Sequence, residues 1–194
     1  MRPSKKPLVG IFLGRSGSGK GTQVKLLKKK LGLDYISSGK LLRRRKKIKD
    51  FTGKKLQKVL DRGGLVPTPV VFKLWLDRFE KLKKKKNFKG FIYEGSPRKI
   101  FEAYLMDEAL GWYEWNKKLK VILIDISEKE AIARLTKRGR EDDKISAIKS
   151  RLSWFQTNVV PVINFYRKTG RLIKINGEQT VENVFKDILK ALGR

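Results

Sequence analysis

The nine residues Gly14-Arg15-Ser16-Gly17-Ser18-Gly19-Lys20-Gly21-Thr22 sit between an apolar run at 8–14 and a segment with apolar residues at Val24, Leu27 and Leu31. The run is bounded by Pro7 and by glycine and reads as a buried strand. The spacing after it is that of a helix. The turn between them fits G-x-x-x-x-G-K. Its glycines let the backbone curl until successive amides point inward at phosphate oxygens, and the helix N-terminus adds its dipole. Lys20 supplies a point charge for β- and γ-phosphates. The hydroxyl comes one place late, because Gly21 precedes Thr22, so the strict form with Ser or Thr directly after Lys is not met. An ordinary glycine-rich turn between strand and helix is the competing reading. The lysine and the flanks argue against it.

Outward from this turn, strands and helices alternate. Further strands are expected at 34–36, 88–93, 120–126 and 172–175. Residues 38–86 read as helical and very basic, punctuated by Gly53, Gly63-Gly64, Pro67 and Pro69. Helices are also expected at 99–110, from a capping box at Ser127 and Glu130 to residue 137, at 145–168 with a bend near Pro161, and at 180–192. Such alternation predicts an α/β fold, a parallel five-stranded sheet flanked by helices. The lysine runs at 28–30 and 83–86 lie at helix ends, where positive charge suits the helix dipole. Trp112, Trp115 and Trp154 read as packing residues rather than nucleotide-stacking ones.

The 194 residues carry 48 Lys and Arg against 19 Asp and Glu, a net charge of +29. A chain of this length suits one domain with small lobes. Its charge draws anions: a nucleotide, a nucleic acid or a membrane headgroup. Cysteine and histidine are both absent. This excludes disulfides, thiolate or imidazole metal sites, and hydrolases built on a Ser-His-Asp triad. Chemistry is left to Lys, Arg, carboxylates, hydroxyls and backbone amides. No run approaches the ~20 apolar residues of a membrane span. The basic start, followed by a block that ends in a glycine turn, is not read as a signal peptide, and a cytoplasmic protein is expected.

The turn with Gly21 between Lys20 and Thr22 resembles the phosphate loop of the adenylate kinases and related nucleoside-monophosphate kinases. Four further segments follow in that family's order. Tyr35-Ile36-Ser37-Ser38-Gly39-Lys40-Leu41-Leu42-Arg43 is similar to the segment that opens the family's monophosphate-binding lobe, with Lys40 where Asp is usual. Gly63-Gly64-Leu65-Val66-Pro67 resembles the stretch lining the acceptor base. Gly90-Phe91-Ile92-Tyr93-Glu94-Gly95-Ser96-Pro97-Arg98 is similar to a strand ending in Asp-Gly-x-Pro-Arg. Arg134, Arg138, Arg140-Glu141-Asp142-Asp143 and Arg151 resemble the lid and the helix after it. The resemblance runs from about Leu8 to Leu192.

It implies a P-loop NTPase-like core (1–37, 87–137 and 144–194), a helical monophosphate-binding lobe (38–86) and a minimal lid (138–143). The activity it implies is reversible phosphoryl transfer, ATP + AMP ⇌ 2 ADP, with Mg2+. ATP would lie on Gly17, Ser18, Gly19, Lys20, Gly21, Thr22 and Arg134, with Gly177 where the backbone meets its adenine. The monophosphate would meet Ser38, Gly39, Arg43, Val66, Gly95 and Arg98. Lys20, Arg98, Arg138, Arg140 and Arg151 would neutralise the transferring group, the last two also touching the acceptor. Thr22 and Glu94 would serve the metal, Glu94 through water. Asp142 and Asp143 would cap the helix after the lid and orient its arginines. The family's relatives imply a monomer.

Four residues past Arg98, where the family reads adenine with Gln, stands Glu102. A carboxylate accepts from both N1–H and the 2-amino group of guanine, so this residue opens GMP or another monophosphate as an alternative acceptor. Otherwise it faces solvent or pairs with a lysine. A different class of function is a nucleic-acid-binding protein on a kinase-like fold, since +29 exceeds what two nucleotides need. Nonspecific nucleic-acid binding could also accompany catalysis.

Overall fold

The computed structural model describes residues 7–139 and 144–194. Arg140, Glu141, Asp142 and Asp143, and the roles expected of them, lie outside the described residues. Five parallel strands form one sheet in the order β2-β3-β1-β4-β5: β1 (Leu8–Leu13), β2 (Asp34–Ser37), β3 (Gly90–Glu94), β4 (Leu119–Asp125) and β5 (Leu172–Asn176). The sequence places all five to within two residues. β1 lies at the centre, between β3 and β4. The chain leaves it towards one edge and later returns to the other side, which opens a crevice at the carboxyl ends of the strands.

Alternation along the strands sends neighbouring side chains to opposite faces. Val9, Ile11 and Leu13 share one core with Phe91, Tyr93, Val121 and Leu123, whereas Leu8 and Phe12 share the other with Ile92, Ile122 and Ile124. The first core is closed by α4 (Thr68–Lys83), α5 (Ile100–Trp112) and α8 (Val160–Lys168), through residues such as Trp75, Met106 and Val162. The second is closed by α1 (Lys20–Leu31) and α9 (Val181–Ala191), through Leu27 and Ile188. Between β2 and β3 the chain forms α2 (Ser38–Arg45), α3 (Phe51–Asp61) and α4. No helix among the described residues is long and apolar enough to cross a membrane.

Three local expectations change. Trp112 is 83% exposed, while Trp115 is buried. In α5 the buried side is Met106, Ala109 and Leu110, and Trp112 falls on the opposite side of the helix. The capping box that opens α6 (Glu128–Arg138) is half made. Ser127 Oγ accepts from the Glu130 amide at 3.2 Å, but the Glu130 carboxylate turns to Arg134 Nε at 2.6 Å. The Ser127 amide instead donates to Glu178. Finally, the expected long helix is interrupted before Pro161. It runs as α7 (Ile145–Trp154), a π-helical turn (Phe155–Val159) and α8. Pro161 has no N–H to give back to the preceding turn, and a π turn absorbs that register change.

Candidate active site

β1 ends in the glycine turn, and α1 starts on Lys20 with its amide end facing the crevice. A side chain at Gly14 (φ +138°) would put its Cβ 2.3 Å from the Ile124 carbonyl. At Gly17 (φ +87°) it would meet the Ala131 carbonyl at 2.9 Å. Only glycine lets the loop lie this close to β4 and α6. The Lys20 ammonium folds over its own loop, donating to the carbonyls of Gly14 (2.8 Å) and Arg15 (2.7 Å) and to Ser18 Oγ (3.2 Å). Burial lowers its pKa from 10.5 to about 8. Glu94 opposes that shift, and Arg98 and Arg138 add to it.

The crevice is a cleft of about 650 Å³. The loop residues Gly17, Ser18, Gly19, Lys20, Gly21 and Thr22 line its floor. Arg134 and Gly177 lie together at one side, where the Arg134 guanidinium donates to the Gly177 carbonyl at 3.0 Å. The same cleft is lined by Gly39, Arg43, Gly95 and Arg98 and by Arg138 and Arg151. The register sets Glu94 between Phe12 of β1 and Ser37 of β2, so its carboxylate enters the cleft beside Lys20. Its Oε1 accepts from Tyr35 (2.7 Å) and Ser37 (2.6 Å). Burial pushes the Glu94 pKa up, but Lys20, the two hydroxyl bonds and Arg98 outweigh it. The net shift is below the usual carboxylate value, so the group is ionised.

Three expected contacts are placed elsewhere. Ser38 is 2% exposed and outside the cleft lining. Its hydroxyl shares a 2.6 Å bond with Tyr93 and donates to Ser96 at 3.1 Å. It opens α2 from inside the sheet, where a hydroxyl must be paired. Val66 is buried, and its carbonyl is taken by the Lys99 ammonium at 3.3 Å. Glu102, also 2% exposed, neither faces solvent nor pairs with a lysine. Its Oε2 accepts from the Arg98 amide at 2.8 Å. As the third residue of α5 it satisfies a backbone donor where the chain enters the helix, the work a carboxylate does in a capping box. Burial raises its pKa, with the Arg98 amide and guanidinium opposing.

Some cleft residues have no signal in the sequence. Gln23 lines the cleft with its amide bonded to the Val181 carbonyl at 2.9 Å, and its buried Oε1 has no partner. Tyr35, read as part of a strand and of the segment that opens the monophosphate-binding lobe but given no role of its own, holds Glu94. Outside the cleft lining, Arg15 donates to the Ile126 carbonyl at 3.1 Å, stands 3.8 Å from the Asp125 carboxylate and lies 4.5 Å over the Phe155 ring.

Comparison with known proteins agrees with this geometry. Residues 12–171 match the family described as adenylate kinase. The chain is 38% identical over 189 residues to the adenylate kinase of Azobacteroides pseudotrichonymphae, covering 95% of this chain and 96% of that protein. It is 36% identical over 183 residues to adenylate kinase 1 of Nostoc sp., covering 94% and 97%. Adenylate kinase isoenzyme 1 of Caenorhabditis elegans is 34% identical over 200 residues, covering 100% and 92%. A phosphate loop and several arginines lining one crevice, in a chain aligned with these relatives almost from end to end, place the protein in the adenylate kinase family.

Proposed function

We propose that the protein transfers the γ-phosphoryl group of ATP to AMP and runs the reaction in reverse, giving two ADP. One observation carries the reading. A single cleft is lined by a phosphate loop and by arginines contributed by α2, by the β3–α5 connection and by α7. Two polyanions can meet there end to end. Phosphoryl transfer asks the protein for little covalent chemistry. It needs the donor and acceptor in line, charge stabilisation and exclusion of water. Lys20 and the loop amides hold the donor phosphates. Arg43 and Arg98 grip the acceptor phosphate, and Arg138, Arg140 and Arg151 neutralise the group in transit. Arginine suits this because its planar fork binds phosphate oxygens two at a time and keeps its charge when buried. Arg134 and Gly177 border the donor base. No general base is needed, in keeping with a chain that lacks histidine.

A magnesium ion fits the residues present. Glu94 offers an ionised carboxylate and Thr22 a hydroxyl in the same cleft, and no cluster of three acidic ligands occurs among the described residues. That donor set suits an ion carried mostly by phosphates and water, as Mg2+ prefers. When bound, the ion neutralises phosphate charge. Adenine as the acceptor base is favoured by the relatives and by the position of Glu102, which is spent on the Arg98 amide. The α2–α4 segment is then the acceptor lobe, and 138–143 a short lid. A cytoplasmic monomer fits this reading.

The test is a coupled assay with ATP and Mg2+ and with AMP, GMP, CMP, UMP and dAMP in parallel. Fast turnover confined to AMP is expected. Preference for GMP would move the specificity, and no turnover with any acceptor would sink the reading.

A further inference from the structure

We propose that Trp154 is a positioning residue for the acceptor side of the reaction: its indole face fixes the Arg98 guanidinium, and its Nε1–H ties the turn of the acceptor segment to the core. The inference rests on the reading of Arg98 as an acceptor-phosphate ligand and deepens it.

Trp154 ends α7, one turn beyond Arg151, and is half-buried. Its Nε1 donates to the Gly63 carbonyl at 2.9 Å. Gly63 lies in the turn between α3 and α4 with φ +68°, and a Cβ there would sit 2.5 Å from the Ala147 carbonyl. Ala147 and Trp154 are two helical turns apart and so share one side of α7. The turn is therefore seated on that side at two points, one by backbone approach and one by the indole bond. Gly63 and Gly64 line the cleft.

The other function of the ring concerns Arg98. Its guanidinium carbon lies 5.2 Å from the Trp154 ring centroid. Among the described residues the guanidinium makes no hydrogen bond or close ion pair; the Glu102 and Glu94 carboxylates attract it from further away, and Glu102 accepts from the Arg98 backbone amide instead. A carboxylate partner would occupy the in-plane N–H donors that a phosphate needs. An aromatic face holds the plane by cation–π attraction and leaves those donors to the ligand. The arginine is thus pre-oriented without being consumed.

The experiment separates the two roles. Trp154→Ala removes both, whereas Trp154→Phe keeps a ring and loses the donor. The acceptor is whichever monophosphate the unsubstituted protein phosphorylates fastest. A wrong acceptor would thus overturn the AMP reading and leave this test standing. We expect Trp154→Ala to raise KM for the monophosphate about tenfold with KM for ATP within about twofold, and Trp154→Phe to raise it about threefold. Arg98→Lys should cost less in the Trp154→Ala background than in the unsubstituted protein, since the two residues act as one unit. Amide exchange at Gly63 and Gly64, both hydrogen-bonded within their turn, should quicken in both variants and needs no turnover to read. Unchanged kinetics in Trp154→Ala, additive effects with Arg98→Lys, or KM for ATP and monophosphate rising together with a fall in Tm would each overturn the proposal.

Discussion

The proposed donor-phosphate side of the cleft comes from one continuous stretch, residues 16–22, whereas the proposed acceptor side gathers Arg43, Arg98 and Arg151 from three places far apart in the chain. On the donor side the fold does the work locally. One strand, one glycine turn and one helix N-terminus make the phosphate part of the site, and Lys20 is satisfied by atoms of its own loop. On the acceptor side Arg98 lies against Trp154, a neighbour from another element. The segment between β2 and β3 also carries an outsized charge: residues 38–86 hold 18 Lys and Arg against 4 Asp and Glu, a net +14 of the total +29. Long-range attraction can bring an anion to such a segment. It cannot fix which oxygen meets which donor. The donor site should therefore fail all at once when its central residue goes, and the acceptor site should fail piecemeal.

The largest effect is expected at Lys20. Lys20→Met should lower kcat on the order of 10³-fold, the scale seen when a donor aimed at transition-state charge is removed. Its Tm should stay within a few degrees, because the lost bonds are internal to one loop and a buried charge is removed with them. Steady-state kinetics and a thermal melt decide this. A loss under about tenfold would put the donor site elsewhere.

Next is Arg43→Ala. A charge-assisted bond is worth about 1.5–3 kcal/mol, so KM for the monophosphate should rise roughly 10- to 100-fold while KM for ATP stays put. If the two Michaelis constants rise together, the two sides are not separable and the comparison breaks.

A subtler contrast lies in pH. Burial holds Lys20 near 8, well below its ordinary 10.5. The unfolded chain keeps that proton up to about 10.5 and the folded one only to about 8. In this window the unfolded state binds more protons, so the contribution of Lys20 to stability rises with pH. For ligand binding the sign reverses, because a triphosphate favours the charged amine. ATP binding should weaken as pH rises from 8 towards 10.5 and should take up a proton at pH 9. Calorimetry in two buffers of different ionisation enthalpy reads that proton. AMP binding at pH 9 should show none, since its arginines stay charged. Absence of uptake with ATP would mean that Lys20 is protonated in the free loop.

The same contrast explains what was legible in the sequence. Glycine spacing around Lys20 sets backbone geometry at the position where it is written, so the loop and its flanking elements can be read directly. The five strands are legible because buried parallel strands are short apolar runs. Trp112 was not, because a tryptophan's burial depends on which side of α5 it occupies, and that is set by helix phase against the sheet. The π turn was not, because Pro161 signals a disturbed helix but not the register the chain adopts. Trp154 reads as packing until Gly63 and Arg98, 91 and 56 positions away, are brought against it.

Glu102 gives the finest test, because spacing and packing disagree about it. Counted from Arg98 it occupies a base-reading position, yet the start of α5 turns it into the partner of a backbone amide. Glu102→Gln keeps an oxygen that can accept from the Arg98 N–H and removes only the charge. If capping is its task, the ratio of kcat/KM for AMP over GMP should move less than about threefold, below 1 kcal/mol of discrimination. If the carboxylate reads the base, the variant replaces one of the two acceptor oxygens that pair with guanine N1–H and the 2-amino group by a donor, and the ratio should move by tenfold or more. The Arg98 N–H would also be left unpaired whenever Glu102 swung towards a base, a cost that GMP would have to meet and AMP would not. That asymmetry sets the expected direction: adenine remains the acceptor base in both the parent and the variant.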